Sequence, residues 1–229
     1  MMMPYDSSYG VAQLLEHAKT LSRLDNLPAY GNFRKYYNER FHLIMNDQSP
    51  IPIEDLNYVL EKVVLPHREI KFVTTLQMDL IIGKWSIGEV GGSEKSKRDT
   101  FVRSFKKMKR AVSLVETGAT FWVLYTDMTT GCQLVFDSAS KSEYPTERHL
   151  NVAKGFSDLF LKKLNKHECQ VRRLCASYGT ARNSGVHATF NARHLLMAKP
   201  MDMLSEPFNI SSFRNFIFQA AMSMKLFGN

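Results

Sequence analysis

Near residue 70 the apolar residues change their period, and that change restricts the chain to folds that combine helices with a sheet. Before it, apolar side chains recur at helical spacing. Val11, Leu14, Leu15, Ala18 and Leu21 form one stripe, with Ser7 or Ser8 placed as its cap and Pro28 as its stop. Phe33, Tyr37 and Phe41 recur every four residues after Asn32, beside Tyr36 and Arg40. Leu56, Val59, Leu60 and Val63 make a third apolar face between Ser49-Pro50-Ile51-Pro52 and Pro66. Three helices are therefore expected by residue 66. From there Ile70, Phe72, Thr74, Leu76, Met78, Leu80 and Ile82 alternate with mostly polar neighbours, which predicts one long half-buried strand.

The remaining pattern keeps both periods. Phe101, Phe105, Met108, Val112 and Val115 predict an amphipathic helix from Lys95 to Val115. Ala119 to Asp127 and Cys132 to Asp137 are rich in β-branched and aromatic residues around Met128-Thr129-Thr130-Gly131, and read as a hairpin. A helix carrying Val152, Phe156, Leu159, Phe160 and Lys163 comes next. Strands are then expected at Glu168 to Tyr178 and Val186 to Met197, joined by a turn from Gly179 to Gly185. Phe213, Phe216, Ile217, Ala220, Ala221 and Met224 stripe a last helix, capped by Asn209 or Ser211. This order predicts an α+β fold, with N-terminal helices followed by a mostly antiparallel sheet and packed amphipathic helices. The expected division is an N-terminal helical region, 1–66, and an α+β core, 67–229, forming one compact unit.

Charge narrows the partners. The 229 residues carry a formal charge of +8, which favours an anionic partner. Lys95, Lys97, Arg98, Arg103, Lys106, Lys107, Lys109 and Arg110 place eight cations against the single acid Asp99 within sixteen residues, nearly the whole excess. Projected on the expected helix, Arg103, Lys106, Lys107 and Arg110 share a face opposite Phe101, Phe105, Met108 and Val112, so the charge should point outward. A second basic group, Lys162, Lys163, Lys166, Arg172 and Arg173, lies at a helix end and in the next strand, where cations also complement the helix dipole.

Motifs for chemistry are sparse. Gly88-Glu89-Val90-Gly91-Gly92-Ser93-Glu94-Lys95 precedes a helix as a phosphate loop would, but Ser93 and Glu94 stand where such a loop needs Gly and Lys. His167, Cys169 and Cys175 lack the paired spacing of a zinc knuckle. His187-Ala188-Thr189-Phe190 is half of an H-x-T pair without its second copy, so His187 and His194 read as strand residues. No metal, no cofactor and no enzymatic activity are expected. Three cysteines without a disulfide framework suit a reducing compartment, and the chain shows no secretion signal.

At the C-terminus, Phe208-Asn209-Ile210-Ser211-Ser212-Phe213-Arg214-Asn215-Phe216, with Ala220 and Leu226-Phe227-Gly228, is similar to the late helix of rhabdovirus matrix proteins of the vesiculovirus kind. Their core also resembles the expected order, with a long strand (here Glu69 to Ile82) near its start. The budding motifs of that family, PPxY and PTAP, are not matched by Met3-Pro4-Tyr5 or Tyr144-Pro145-Thr146. The resemblance implies a viral structural protein inside the virion or the host cytoplasm or nucleus. Its partners would be RNA or ribonucleoprotein and an anionic membrane surface, bound peripherally through the Lys95 to Arg110 segment. Homo-oligomerisation is expected through Phe33, Tyr37, Phe213 and Phe216. Two alternatives stand beside it. One is a sequence-tolerant RNA-binding coat or nucleocapsid protein. The other is a small hydrolase or transferase acting on an acidic substrate, for which a cleft joining His187, His194 and a carboxylate would be the mark.

Overall fold

The computed structural model describes residues 28–46, 49–85, 91–118, 120–142, 144–161, 171–173, 180–201, 204 and 208–227. The chain opens with α1 (Pro28–Met45) and α2 (Ile53–Tyr58), the latter running on into a π turn, Val59–Val63. Then come β1 (Ile70–Val73), α3 (Thr75–Leu80) with a second π turn, Ile81–Trp85, and α4 (Gly92–Arg103). The strands β2 (Arg110–Thr117), β3 (Thr120–Asp127) and β4 (Gln133–Phe136) precede α5 (Glu147–Phe160) and β5 (Val171–Arg173). A 3-10 turn, Ala181–Asn183, leads into α6 (Ser184–Leu196), and α7 (Ile210–Phe227) closes the described order.

This is the expected α+β fold, with helices first and helices packed on a largely antiparallel sheet. Strand order is β1-β2-β3-β4-β5. The β2-β3-β4 centre is antiparallel, and each edge strand joins it in parallel. Successive residues of the central strands point to opposite faces, so the sheet separates two cores. Val112, Leu114, Phe121 and Val123 meet Leu56, Leu60, Val186 and Ile217 on one face. Ala111, Val115, Trp122 and Leu124 meet Met78, Ile81, Phe105 and Phe156 on the other. Helices α1 and α2 are tied to each other by Arg40, whose guanidinium donates to Asp55 Oδ2 at 3.0 Å and to Glu54 Oε1 at 3.1 Å. Burial pushes the Asp55 carboxyl up to about 6, against the pull of Arg40.

The expected long strand from Ile70 to Ile82 is corrected: pairing stops at Val73. Thr74 then caps a helix, its Oγ1 accepting from Gln77 N while Gln77 Oε1 accepts from Thr74 N. Beyond that box the buried positions Thr75, Met78, Ile81 and Trp85 follow helical rather than alternate spacing. The expected helix from Lys95 to Val115 is cut short as well. Ser104 Oγ turns back onto Phe101 O and Arg103 Nε onto Asp99 O, and the β-branched run from Ala111 is taken up between β1 and β3. The expected strand from Val186 to Met197 is the helix α6. The hairpin, α1, α2, α5 and α7 form where expected, and Asn209 Oδ1 caps α7 by accepting from Ser212 N. Of the Glu168 to Tyr178 strand only Val171–Arg173 is described, and the first expected helix, with Val11 to Leu21, lies outside the described residues.

Helix α6 approaches β3 so closely that its second residue has no room for a side chain. A Cβ on Gly185 would stand 2.9 Å from Leu56 Cδ1 and 3.3 Å from the Phe121 ring. Gly185→Ala is expected to destabilise the protein by about 1–3 kcal/mol through overpacking, and adding Leu56→Val should recover part of it. Urea unfolding of the single and double variants checks this; an unchanged midpoint for Gly185→Ala would show that the contact is looser than drawn.

Candidate functional site

The place where the most distant parts of the chain converge on reactive side chains is the start of α6. Ser184 is fully buried there. Its hydroxyl donates to Ala181 O at 2.7 Å and accepts from Phe121 N at 3.0 Å, so the first turn of the helix is bonded directly to β3. Preceding it, Asn183 Oδ1 accepts from Arg214 at 2.7 Å. The same guanidinium, buried within α7, donates to Ile44 O at 2.6 Å and Ser49 O at 3.0 Å. Arg214 thus joins the end of α1, the following loop and the entry to α6. Thr180, Ala181 and Arg182 are exposed just before it, leaving this entry open to solvent.

A serine at a helix N-terminus sits at the positive end of the helix dipole, where negative charge is stabilised. The Ser184 proton, however, is already directed at a carbonyl, and Phe121 is the β3 residue that faces it. The amides of Asn183 and Ser184 are bonded to Thr180 O and Ala181 O, and the hydroxyl is engaged in holding the turn.

On the other face of β3, Asp137 and His149 form a buried pair. His149 Nε2 lies 3.1 Å from Asp137 Oδ2, and the imidazole meets the Trp122 ring at 4.7 Å. Thr146 N donates to His149 Nδ1, so the ring is an Nε2–H tautomer that donates to Asp137, with both nitrogens occupied. Burial works to raise the Asp137 carboxyl, but His149 and the amides of Ala139 and Ser140 together hold it below its usual range. This pair fixes the start of α5.

His187 and His194 lie two turns apart on α6, both buried, and not on a strand. His187 packs edge-on to Phe208 at 4.9 Å, and His194 lies against Phe190 at 4.7 Å. His187 Nε2 and both His194 nitrogens are buried without a hydrogen-bond partner among the described residues. Burial lowers the pKa of each, helped at His194 by Lys199 and Arg193. The cleft imagined between these two histidines and a carboxylate is replaced by a packed aromatic layer.

The basic cluster is displayed as expected but on a different backbone. Lys95, Lys97, Arg103, Lys106, Lys107, Lys109 and Arg110 are exposed and Arg98 is half-buried. They run along α4, round a turn and into β2, so Arg103, Lys106, Lys107 and Arg110 do not share a helix face. Lys97 pairs with Glu94, Arg98 with Asp99 and Lys109 with Glu69. In the second group, Arg172 and Arg173 stand in β5 opposite Leu134 and Val135, while Lys162, Lys163 and Lys166 lie outside the described residues. Phe33 belongs to α1. Tyr37 packs on Phe218, and Phe213 is buried with Phe216 against it, so these three contribute to internal packing. Sequence reasoning missed Ser184, Asp137, His149 and Arg214. The small polar run Asn183-Ser184-Gly185 and an arginine inside the apolar stripe of α7 were the available signals.

No family model and no curated protein matches the sequence. Solved structures do. A SUMO protease Ulp1 with its catalytic cysteine oxidised to a sulfenic acid is 11% identical at a TM-score of 0.62, over 86% of this chain and 95% of that one. The C-terminal Ulp1 protease domain in complex with Smt3, the yeast ortholog of SUMO, is 11% identical at 0.59, over 83% and 82%. The Ulp1-like SUMO protease catalytic domain of Chaetomium thermophilum is 13% identical at 0.51, over 80% and 75%. The fold is that of SUMO proteases.

That finding overturns the resemblance to rhabdovirus matrix proteins and the reading drawn from it. The expectations of a viral structural protein, of RNA, ribonucleoprotein or acidic membrane as partners, and of a chain that is not an enzyme are corrected with it. Of the expectations, the hydrolase alternative agrees best with these structural neighbours, which are named as proteases, although the His187 and His194 cleft is not formed. The physical reason is visible in the C-terminal motif. Phe208 stacks on Phe190 at 3.9 Å and meets Phe213 at 5.8 Å, so the motif encodes how α7 packs on α6.

The two buried histidines give stability a pH dependence of fixed sign. An unfolded imidazole titrates near 6.5, and the folded ones titrate lower. Between those values the unfolded chain binds more protons, so stability rises with pH and is lost as pH falls below about 6.5, by at most about 1.4 kcal/mol per pH unit for each histidine. Asp55 contributes the opposite slope from about 4 to 6, and a variant comparison removes it. Urea midpoints at pH 7.5 and 5.5 should separate less for His187→Met than for the unaltered protein; an equal separation would take His187 out of the account.

Proposed function

We propose that the chain is a hydrolase that recognises a SUMO-type protein and cleaves the bond joining it to another polypeptide. The observation that carries this is the extent of the likeness: the Ulp1 fold superposes over most of both chains, not over a shared sheet alone. The known reaction of those proteins uses a catalytic cysteine. A thiolate attacks the carbonyl, the amine leaves with a proton, and water hydrolyses the acyl-enzyme.

The reacting carbonyl is assigned to the entry of α6, beside β3 and next to the exposed turn of Thr180 to Arg182. The positive end of the helix dipole there favours the negative charge that develops on the carbonyl oxygen. The nucleophile is assigned to Cys169 or Cys175, because the Ser184 proton is committed to Ala181 O and Cys132 stands at the end of β3 opposite to Phe121. Cys132 lies in the β3-β4 turn, and the other two fall outside the described residues.

The assay must separate recognition from turnover, since neither Ser184 nor His149 has proton-transfer capacity to spare. A SUMO protein carrying a C-terminal reporter should be released by the full chain. One of Cys169→Ala and Cys175→Ala should lower kcat/KM by about a thousandfold or more, with Cys132→Ala and Ser184→Ala much milder. Saturable SUMO binding with no release in a single turnover would retain the recognition and remove the chemistry. Neither binding nor release would remove the whole reading.

A further inference from the structure

We propose that the corner where the 103–110 segment joins β1 to β2 docks an acidic stretch of a partner polypeptide, a surface separate from the entry of α6. The corner is built, not merely charged. Lys109 N and Arg110 N both donate to Glu69 O, and Lys109 Nζ bonds Glu69 Oε1 at 2.7 Å, fixing the turn to the start of β1. Phe105 is buried, and Phe101 and Met108 pack against the second core. With the apolar residues held inward, Arg103, Lys106, Lys107 and Arg110 project outward beside Arg68.

The acids around this corner are largely spent. Glu69 is taken by Lys109, and Asp99 stands beside Arg98. Asp127 faces Arg110 across the β2-β3 ladder but is bonded to Thr129 and the amide of Thr130. Lys106 and Lys107, adjacent and exposed, have no described carboxylate in ion-pair range. A cluster of one sign raises its own electrostatic energy, and a carboxylate-bearing partner lowers it.

The form of the corner favours a polypeptide over a nucleic acid. Single-stranded nucleic acid is held by aromatic platforms as well as cations. Here Phe101 packs edge-on to Phe105 and beside Trp85 instead of facing solvent, and none of the large exposed apolar residues lies between 95 and 110. Glu94, Asp99 and Glu69 also divide the cations into short runs. These suit separate carboxylates better than a continuous phosphate tract.

The test uses the full chain and two labelled probes, a twelve-residue Glu/Asp-rich peptide and a twelve-nucleotide single-stranded RNA, followed by anisotropy at about 0.15 M salt, where unspecific surface attraction is largely screened. Saturable peptide binding that weakens at least tenfold in Lys106→Glu/Lys107→Glu, with Lys106→Gln/Lys107→Gln between, is the expected result. Thermal melting of each variant should match the unaltered protein, since both side chains are exposed. RNA binding as tight as the peptide, no peptide binding, or binding indifferent to the charge reversal would each overturn the proposal. The SUMO cleavage assay is a separate readout, so its failure leaves this surface standing, and the reverse.

Discussion

Everything described in the molecule is arranged around a helix with no free face. Helix α6 buries Ser184 through Thr189 without a break, and then Asn191, Ala192 and His194 to Leu196. It lies on β2 and β3 below and is covered by α7 and α2. Such a helix has no solvated stripe on which to place its polar groups, so each must find an internal role. Ser184 finds one in the Phe121 amide. Among the described residues His187 Nε2 and both His194 nitrogens find none, and burial opposes charge on both imidazoles. Arg214 solves the equivalent problem for α7 by satisfying backbone carbonyls from α1 and the next loop. The N-terminal helices are thereby held to the same core as the end of the chain.

That central helix was the element least legible in the sequence, for the same reason. A helix buried all round loses the i, i+3, i+4 contrast, and here Val186, Ala188, Phe190 and Ala192 alternate with His187, Thr189, Asn191 and Arg193, which imitates a half-buried strand. The same misreading occurred at Ile70 to Ile82. There the alternation was real, but Thr74 and Gln77 form a reciprocal cap that starts a helix in the middle of it. A box of local hydrogen bonds outweighed a period of two. Elements with one wet face and one dry face, α1, α2, α5 and α7, were readable because solvent writes the contrast into their sequences.

The candidate site was illegible for a different cause. Its parts are Phe121, Asn183, Ser184 and Arg214, spread over more than ninety positions of sequence and brought together by folding. None belongs to a motif with fixed spacing. The basic segment from Lys95 to Arg110, in contrast, was visible because its residues are consecutive. Its exposure followed correctly from the inward pull of Phe101, Phe105 and Met108, even though the helix ends at Arg103 and the rest is a turn and a strand.

Charge and fold then constrain the function from independent directions. Net charge says that an anionic surface is welcome and is silent on chemistry. The C-terminal aromatic motif seemed to name a family, yet its residues are fixed by packing demands that many unrelated helices share. What this chain shares with the SUMO proteases at 11% identity is the backbone fold; in this chain that fold is a mixed sheet with a core on each face and a buried helix across one of them. Burial placement survives substitution because many apolar side chains of suitable volume fill the same space. Reactive groups have no such tolerance. The fold is therefore carried by burial, and any chemistry has to be argued residue by residue.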